Sequence, residues 1–148
     1  MRTVFALITV LALLGLAAPA AAHDGHKGRT VELEADLSSA NEVPPSGTGA
    51  DGEAEIEINV RKGKLCVEVE ADDLAGQVVA GHIHVGAAGT NGGVVVDLGV
   101  NSDDFERCIK GIDKSILRAI VKNPSGYYVN IHTTAVPSGE IRGQLAKD

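Results

Sequence analysis

The chain has 148 residues and carries 20 Asp plus Glu against 13 Lys plus Arg, for a net charge of −7. That balance disfavours nucleic acid and anionic membrane as partners, since both reward basic patches. Aromatics make up only 3% and Trp is absent, so the core has to be built from Val, Ile, Leu and Ala, and an aromatic platform for sugars or bases is not expected.

Residues 1–22 read as a secretory signal peptide. Arg2 supplies a positive start, Val4 to Leu16 is an apolar run short for a membrane span, and Ala18, Ala20 and Ala22 offer small-residue cleavage patterns. No second apolar run of membrane length follows. The expected mature protein is exported, either periplasmic or extracellular, and not membrane-bound. Cleavage falls after Ala20 or Ala22. Residues 23–29 read as a flexible lead-in. With His23 first, or third behind Ala21 and Ala22, this segment is a candidate copper chelator through the terminal amine, amides and imidazole. His26 is a further ligand.

Residues 30–148 read as one domain. Thr30 to Leu37 alternates apolar with acidic residues, as a half-buried strand does. Ser38 to Asp51 is a loop rich in Ser, Gly and Pro. Gly52 to Val60 and Leu65 to Ala71 alternate again around a turn at Arg61 to Lys64. In these strands Val60 is expected inside and Asn59, Cys66, Glu68 and Glu70 outside. Val78 to Val85 is a strand carrying His82 and His84 on one face, roughly 7 Å apart, with Ile83 and Val85 on the other. The glycine-rich stretch 86–93 follows, then short strands at Val94 to Leu98 and Phe105 to Ile109. Asp113 to Lys122 is the one helical candidate, capped by Asp113, with Ile116, Leu117, Ile120 and Val121 on its apolar face. Gly126 to Thr133 is a second histidine strand, in which Tyr128, Asn130 and His132 share a face. Glu140 to Leu145 is the last strand. Glu140 and Arg142 share a face there and are expected to pair with each other or to lie at the surface.

About eight short strands with one short helix predict an all-β fold: an antiparallel Greek-key β-sandwich or flattened barrel. Cys66 and Cys108 are an even pair in an exported chain, so a disulfide is expected. If the two histidine strands lie close, His82, His84 and His132 converge. Imidazole suits copper and zinc, and three such ligands leave a coordination position open. The competing reading is structural: the same rings hydrogen-bond to loops. Glu42, in a Pro-rich loop, is expected to accept hydrogen bonds from loop amides, and Asn41 and Glu42 are also candidates for holding a histidine from behind. No Ser, His and acid order supports a triad, and no glycine-rich loop joins a strand to a helix as a phosphate site requires.

The motifs Asn41-Glu42-Val43-Pro44-Pro45, His82-Ile83-His84-Val85-Gly86, Asn91-Gly92, Tyr128-Val129-Asn130-Ile131-His132-Thr133 and Pro137 to Leu145 resemble, in this order, the CHRD domain. That domain is named for chordin, an extracellular growth-factor antagonist, and also stands alone in exported microbial proteins. The resemblance implies an extracellular binding module. Its partner surfaces would be loops such as Ser38 to Asp51 and Gly86 to Gly93. It implies nothing about catalysis, and no catalytic residue is assigned.

A weaker likeness is to copper–zinc superoxide dismutase, through Gly-x-His-x-His, a later strand histidine and a C-terminal Gly-x-x-Arg. It implies His82, His84 and His132 as copper ligands and a dismutase-like reaction. Arg142 would be the anion guide; apart from the likeness, Glu42 and Asn130 are candidates for supporting the ligands. The bridging histidine and the zinc-loop ligands of that enzyme have no counterpart here.

Overall fold

The computed structural model describes residues 30–100 and 102–147. The signal-peptide reading, the lead-in and His23 and His26 lie outside these residues. The strands are β1 (Val31–Ser38), β2 (Asp51–Asn59), β3 (Lys64–Asp72), β4 (Val78–Val85), β5 (Val94–Asp97), β6 (Phe105–Lys110), β7 (Tyr127–Thr133), β8 (Ile141–Gln144) and β9 (Ala146–Lys147). One α-helix, α1 (Lys114–Lys122), precedes β7.

The strands form one sheet in the order β5-β4-β7-β8-β1-β2-β3-β6, with β9 beside β1. The paired strands run antiparallel. Residues from both ends of this order, Ile83 and Val96 at one and Leu65 and Val67 at the other, belong to one buried cluster. The sheet therefore curls over a single core as a flattened, open barrel. Its seam lies between β5 and β6, where Arg107 Nη1 donates to the Gly99 carbonyl. α1 caps one end with Leu117 and Ile120 buried. The helix starts where expected: the Asp113 side chain accepts from the Ser115 N–H at 2.7 Å. The buried core cluster contains only Leu, Ile, Val and Ala, as the composition demanded.

Alternation decides the two faces of β1, β2 and β3. Their apolar residues are buried, Val31 only partly, and their acidic ones are exposed. The register then sets carboxylate against carboxylate on the outside: Glu34, Glu55, Glu68 and Glu106 form one cross-strand row, and Asp36, Glu53 and Glu70 the next. On the same face Cys66 and Cys108 are registered partners in β3 and β6 and form a disulfide.

Two details depart from the alternation. Asn59 is buried and Val60 half-buried, because β2 ends at Asn59. There the side chain turns to cap the tight turn Val60–Lys62, accepting from the Lys62 N–H at 3.1 Å. Val85 is 43% exposed rather than inward with Ile83. It stands at the end of β4, opposite the half-buried Tyr127, where the core has stopped. β9 is too short to have shown any period.

Candidate functional site

The sheet order places β4 directly beside β7. Register then pairs Ala80 with His132, His82 with Asn130, and His84 with Tyr128. Directly paired residues of an antiparallel ladder project from the same face. All three histidines consequently stand on the side of the sheet away from the core. One potential ligand atom from each lies within 4.8 Å of the other two. The ring centroids are 4.9 Å apart for His82 and His132, 5.5 Å for His82 and His84, and 6.1 Å for His84 and His132.

Each ring is oriented by a neighbour. His84 Nδ1 lies 2.9 Å from the Gly92 carbonyl, and His132 Nδ1 lies 3.0 Å from the Pro137 carbonyl. A carbonyl only accepts, so both Nδ1 atoms carry the proton and, in the neutral ring, both Nε2 atoms are bare. His132 Nε2 takes a hydrogen bond from His82 Nδ1 at 3.1 Å. His84 Nε2 is buried and has no hydrogen-bond partner among the described residues. The His82 pKa is lowered, first by burial and then by the two neighbouring imidazoles. The His84 pKa is also lowered, chiefly by burial, with the Gly92 carbonyl opposing. Both environments favour the neutral ring, the form that binds a metal.

Behind the histidines lies a buried polar layer. Tyr128 stacks on His84 with centroids 4.9 Å apart and planes 6° apart. The Arg142 guanidinium carbon sits 4.2 Å from the centre of the Tyr128 ring. Because β7 lies between β4 and β8, Tyr128 is held between the two. Arg142 pairs with Glu42, with Nη2 at 2.9 Å and Nε at 3.2 Å from Oε2, and both side chains are almost wholly buried. Its remaining bonds go to the Thr90 carbonyl at 3.0 Å and Asn91 Oδ1 at 2.6 Å. Asn130 donates to Glu42 Oε1 and to the Ile141 carbonyl. Asn41 donates to the Arg142 carbonyl at 3.2 Å.

Several sequence expectations change here. Arg142 and Glu140 do not pair with each other. Arg142 reaches Glu42, 100 residues away in the chain. Glu140 is fully buried, and its carboxylate takes the Ala75 N–H at 2.7 Å and the Thr133 hydroxyl at 2.5 Å. Glu42 accepts from Arg142 and Asn130 rather than from loop amides. The residues that position His84 and His132, Gly92 and Pro137, act through carbonyls and carry no side-chain signal that a sequence could reveal. Tyr128 was legible only as a face-sharing neighbour.

Above this layer opens a cleft of about 490 Å³, floored by His84, Tyr128, Asn130 and His132 and walled by Val43 to Ser46 and by Val136, Ser138 and Gly139. Gly139 belongs there for a steric reason. Its φ is +126°, and a Cβ would meet Asn130 Nδ2 at 2.7 Å and Glu42 Oε1 at 2.8 Å.

No curated protein and no solved structure matches the chain. The CHRD domain family model matches residues 33–145, which takes in β2 to β8 and most of β1, together with the histidine cluster and the Glu42–Arg142 pair. The chain therefore belongs to the CHRD domain family.

Proposed function

We propose that this CHRD domain is an extracellular binding module that holds a copper or zinc ion through His82, His84 and His132. The observation that carries the reading is His84 Nε2, a buried lone pair with no partner among the described residues, on a ring that converges with two other imidazoles. An unsatisfied buried acceptor costs about 1–3 kcal/mol, and a metal ion is the group that three converging imidazoles satisfy. The donor set fits: neutral nitrogen ligands suit copper and zinc. Carbonyls on the remote nitrogens of His84 and His132 are the usual supports of metal-bound histidine. Three ligands leave a position through which a metal would polarise a bound molecule. Export is supported by the disulfide, which persists in oxidising compartments. Among the described residues no helix is long and apolar enough to cross a membrane.

The dismutase-like reaction gains no support from Arg142, whose guanidinium is engaged by Glu42, Asn91 and Thr90. The reading therefore stops at metal holding, and enzyme activity is not part of it. The competing reading is a metal-free interaction module in which the same rings fasten loops. It rests on the His82–His132, His84–Gly92 and His132–Pro137 bonds. Dialysis against copper and zinc, followed by mass spectrometry of bound metal, separates the two. Near-stoichiometric metal that is lost in a folded His82→Ala/His84→Ala/His132→Ala variant is expected. Absence of metal from the wild type, or its retention in the triple variant through His23 and His26, would refute the site and move the search to protein partners.

A further inference from the structure

We propose that the 90–92 loop is a positioning device for His84. On this view it is held by the buried Glu42–Arg142 pair from one side and by the Tyr128 hydroxyl from the other. The inference rests on the metal-holding reading, and it assigns to Arg142, Asn91 and Tyr128 a role that is neither anion guidance nor ligation.

Two contacts fix the backbone of Gly92. Its carbonyl takes the Nδ1–H of His84 at 2.9 Å, which fixes the tautomer. Its N–H donates to the Tyr128 hydroxyl at 3.2 Å. The ring of that same tyrosine stacks on His84 and fixes the plane of the imidazole. One residue before Gly92, Asn91 accepts from Arg142 Nη2 and donates to the Val43 carbonyl at 2.8 Å. Two residues before it, the Thr90 carbonyl accepts from Arg142 Nη1. The loop is thus pinned to a guanidinium that Glu42 itself holds in place. Gly92 must be glycine for the loop to approach so closely, because a Cβ there would sit 1.5 Å from the Val85 carbonyl oxygen.

The consequence is specific to one ring. If the loop drifts, His84 Nδ1 loses its acceptor and the neutral imidazole is free to place its proton on Nε2, the nitrogen that must be bare to bind a metal. His132 is oriented by a different carbonyl, that of Pro137.

The test uses the metal-free full domain labelled with ¹⁵N-histidine, and two variants. Asn91→Ala cuts the tie to Arg142 and Val43 at an exposed position. Tyr128→Phe removes the hydroxyl and keeps the stacking ring. Long-range ¹H–¹⁵N spectra report the tautomer of each histidine, and chelator competition reports Zn(II) affinity. In both folded variants His84 is expected to become a mixture of tautomers while His132 keeps its Nδ1–H form. Zn(II) affinity should fall on the order of 10–100-fold. A pure Nδ1–H His84 in both variants would overturn the proposal, whether or not affinity falls. Equal disturbance of His84 and His132 would overturn it too, because that is what general loosening does. If the wild type binds no Zn(II), the metal reading fails, and the His84 tautomer still decides whether the loop positions the ring.

Discussion

The Glu42–Arg142 pair should be strongly coupled, and a double-mutant cycle measures the coupling directly. Its side chains are 3% and 6% exposed, so neither charge can turn to water when the other is removed. Glu42→Ala leaves Arg142 Nε without its acceptor, while Nη1 and Nη2 keep Thr90 and Asn91. Arg142→Ala leaves Glu42 Oε2 bare and retains only the Asn130 bond on Oε1. Breaking a buried pair from one side costs about 3–5 kcal/mol, mostly the penalty of the charge left behind. The double variant removes both charges of the pair and should cost less than the sum of the singles by about 1–3 kcal/mol. Urea unfolding of the four proteins at neutral pH gives the cycle. Single variants that each lose under about 1 kcal/mol, or a double variant additive to within about 0.5 kcal/mol, would refute the assignment of this pair as buried and mutually dependent.

Three further outcomes are expected. Replacing Cys66 and Cys108 by Ser opens a loop of 42 residues and should cost about 4 kcal/mol in the chain-entropy model; a loss under about 1 kcal/mol would show that the reduced chain is already restrained. Burial lowers the pKa of His82 and His84 in the folded state, so below the ordinary value of about 6.5 the unfolded chain binds more protons. Stability of the metal-free protein should then fall as pH drops from about 6.5 through the lowered folded values, and a His82→Gln/His84→Gln variant should flatten the urea-midpoint profile; a wild-type profile already flat there contradicts the burial. Glu55 faces Glu34 and Glu68 across two strands, so Glu55→Lys should raise Tm by roughly 2–5 °C at low salt, with the gain shrinking as salt screens the face; an unchanged Tm would mean the rows of carboxylates do not repel measurably.

What could be read from the sequence was whatever the backbone period determines locally. Alternation set the inner and outer faces of β1, β2 and β3, placed His82 beside His84, and put Cys66 outside, where its partner was to be found. Asp113 marked the start of the helix because a cap is a contact between near neighbours. Strand order is a different matter, since a period says which way a side chain points and not which strand lies next to it. Only the folded sheet set β4 against β7 and so brought His132 to His82 and His84. Only it laid the Asn41 to Pro45 loop over β8, which turned Glu42 from a loop residue into the partner of Arg142 and covered the polar face that holds Tyr128 and Asn130. Glu140, expected beside Arg142, is buried instead, and its carboxylate takes the Ala75 N–H and the Thr133 hydroxyl, contacts 65 and 7 residues away in the chain. Each of these outcomes depends on contacts between residues far apart in the chain, where the entropy of loop closure and the packing of the whole barrel decide the partner.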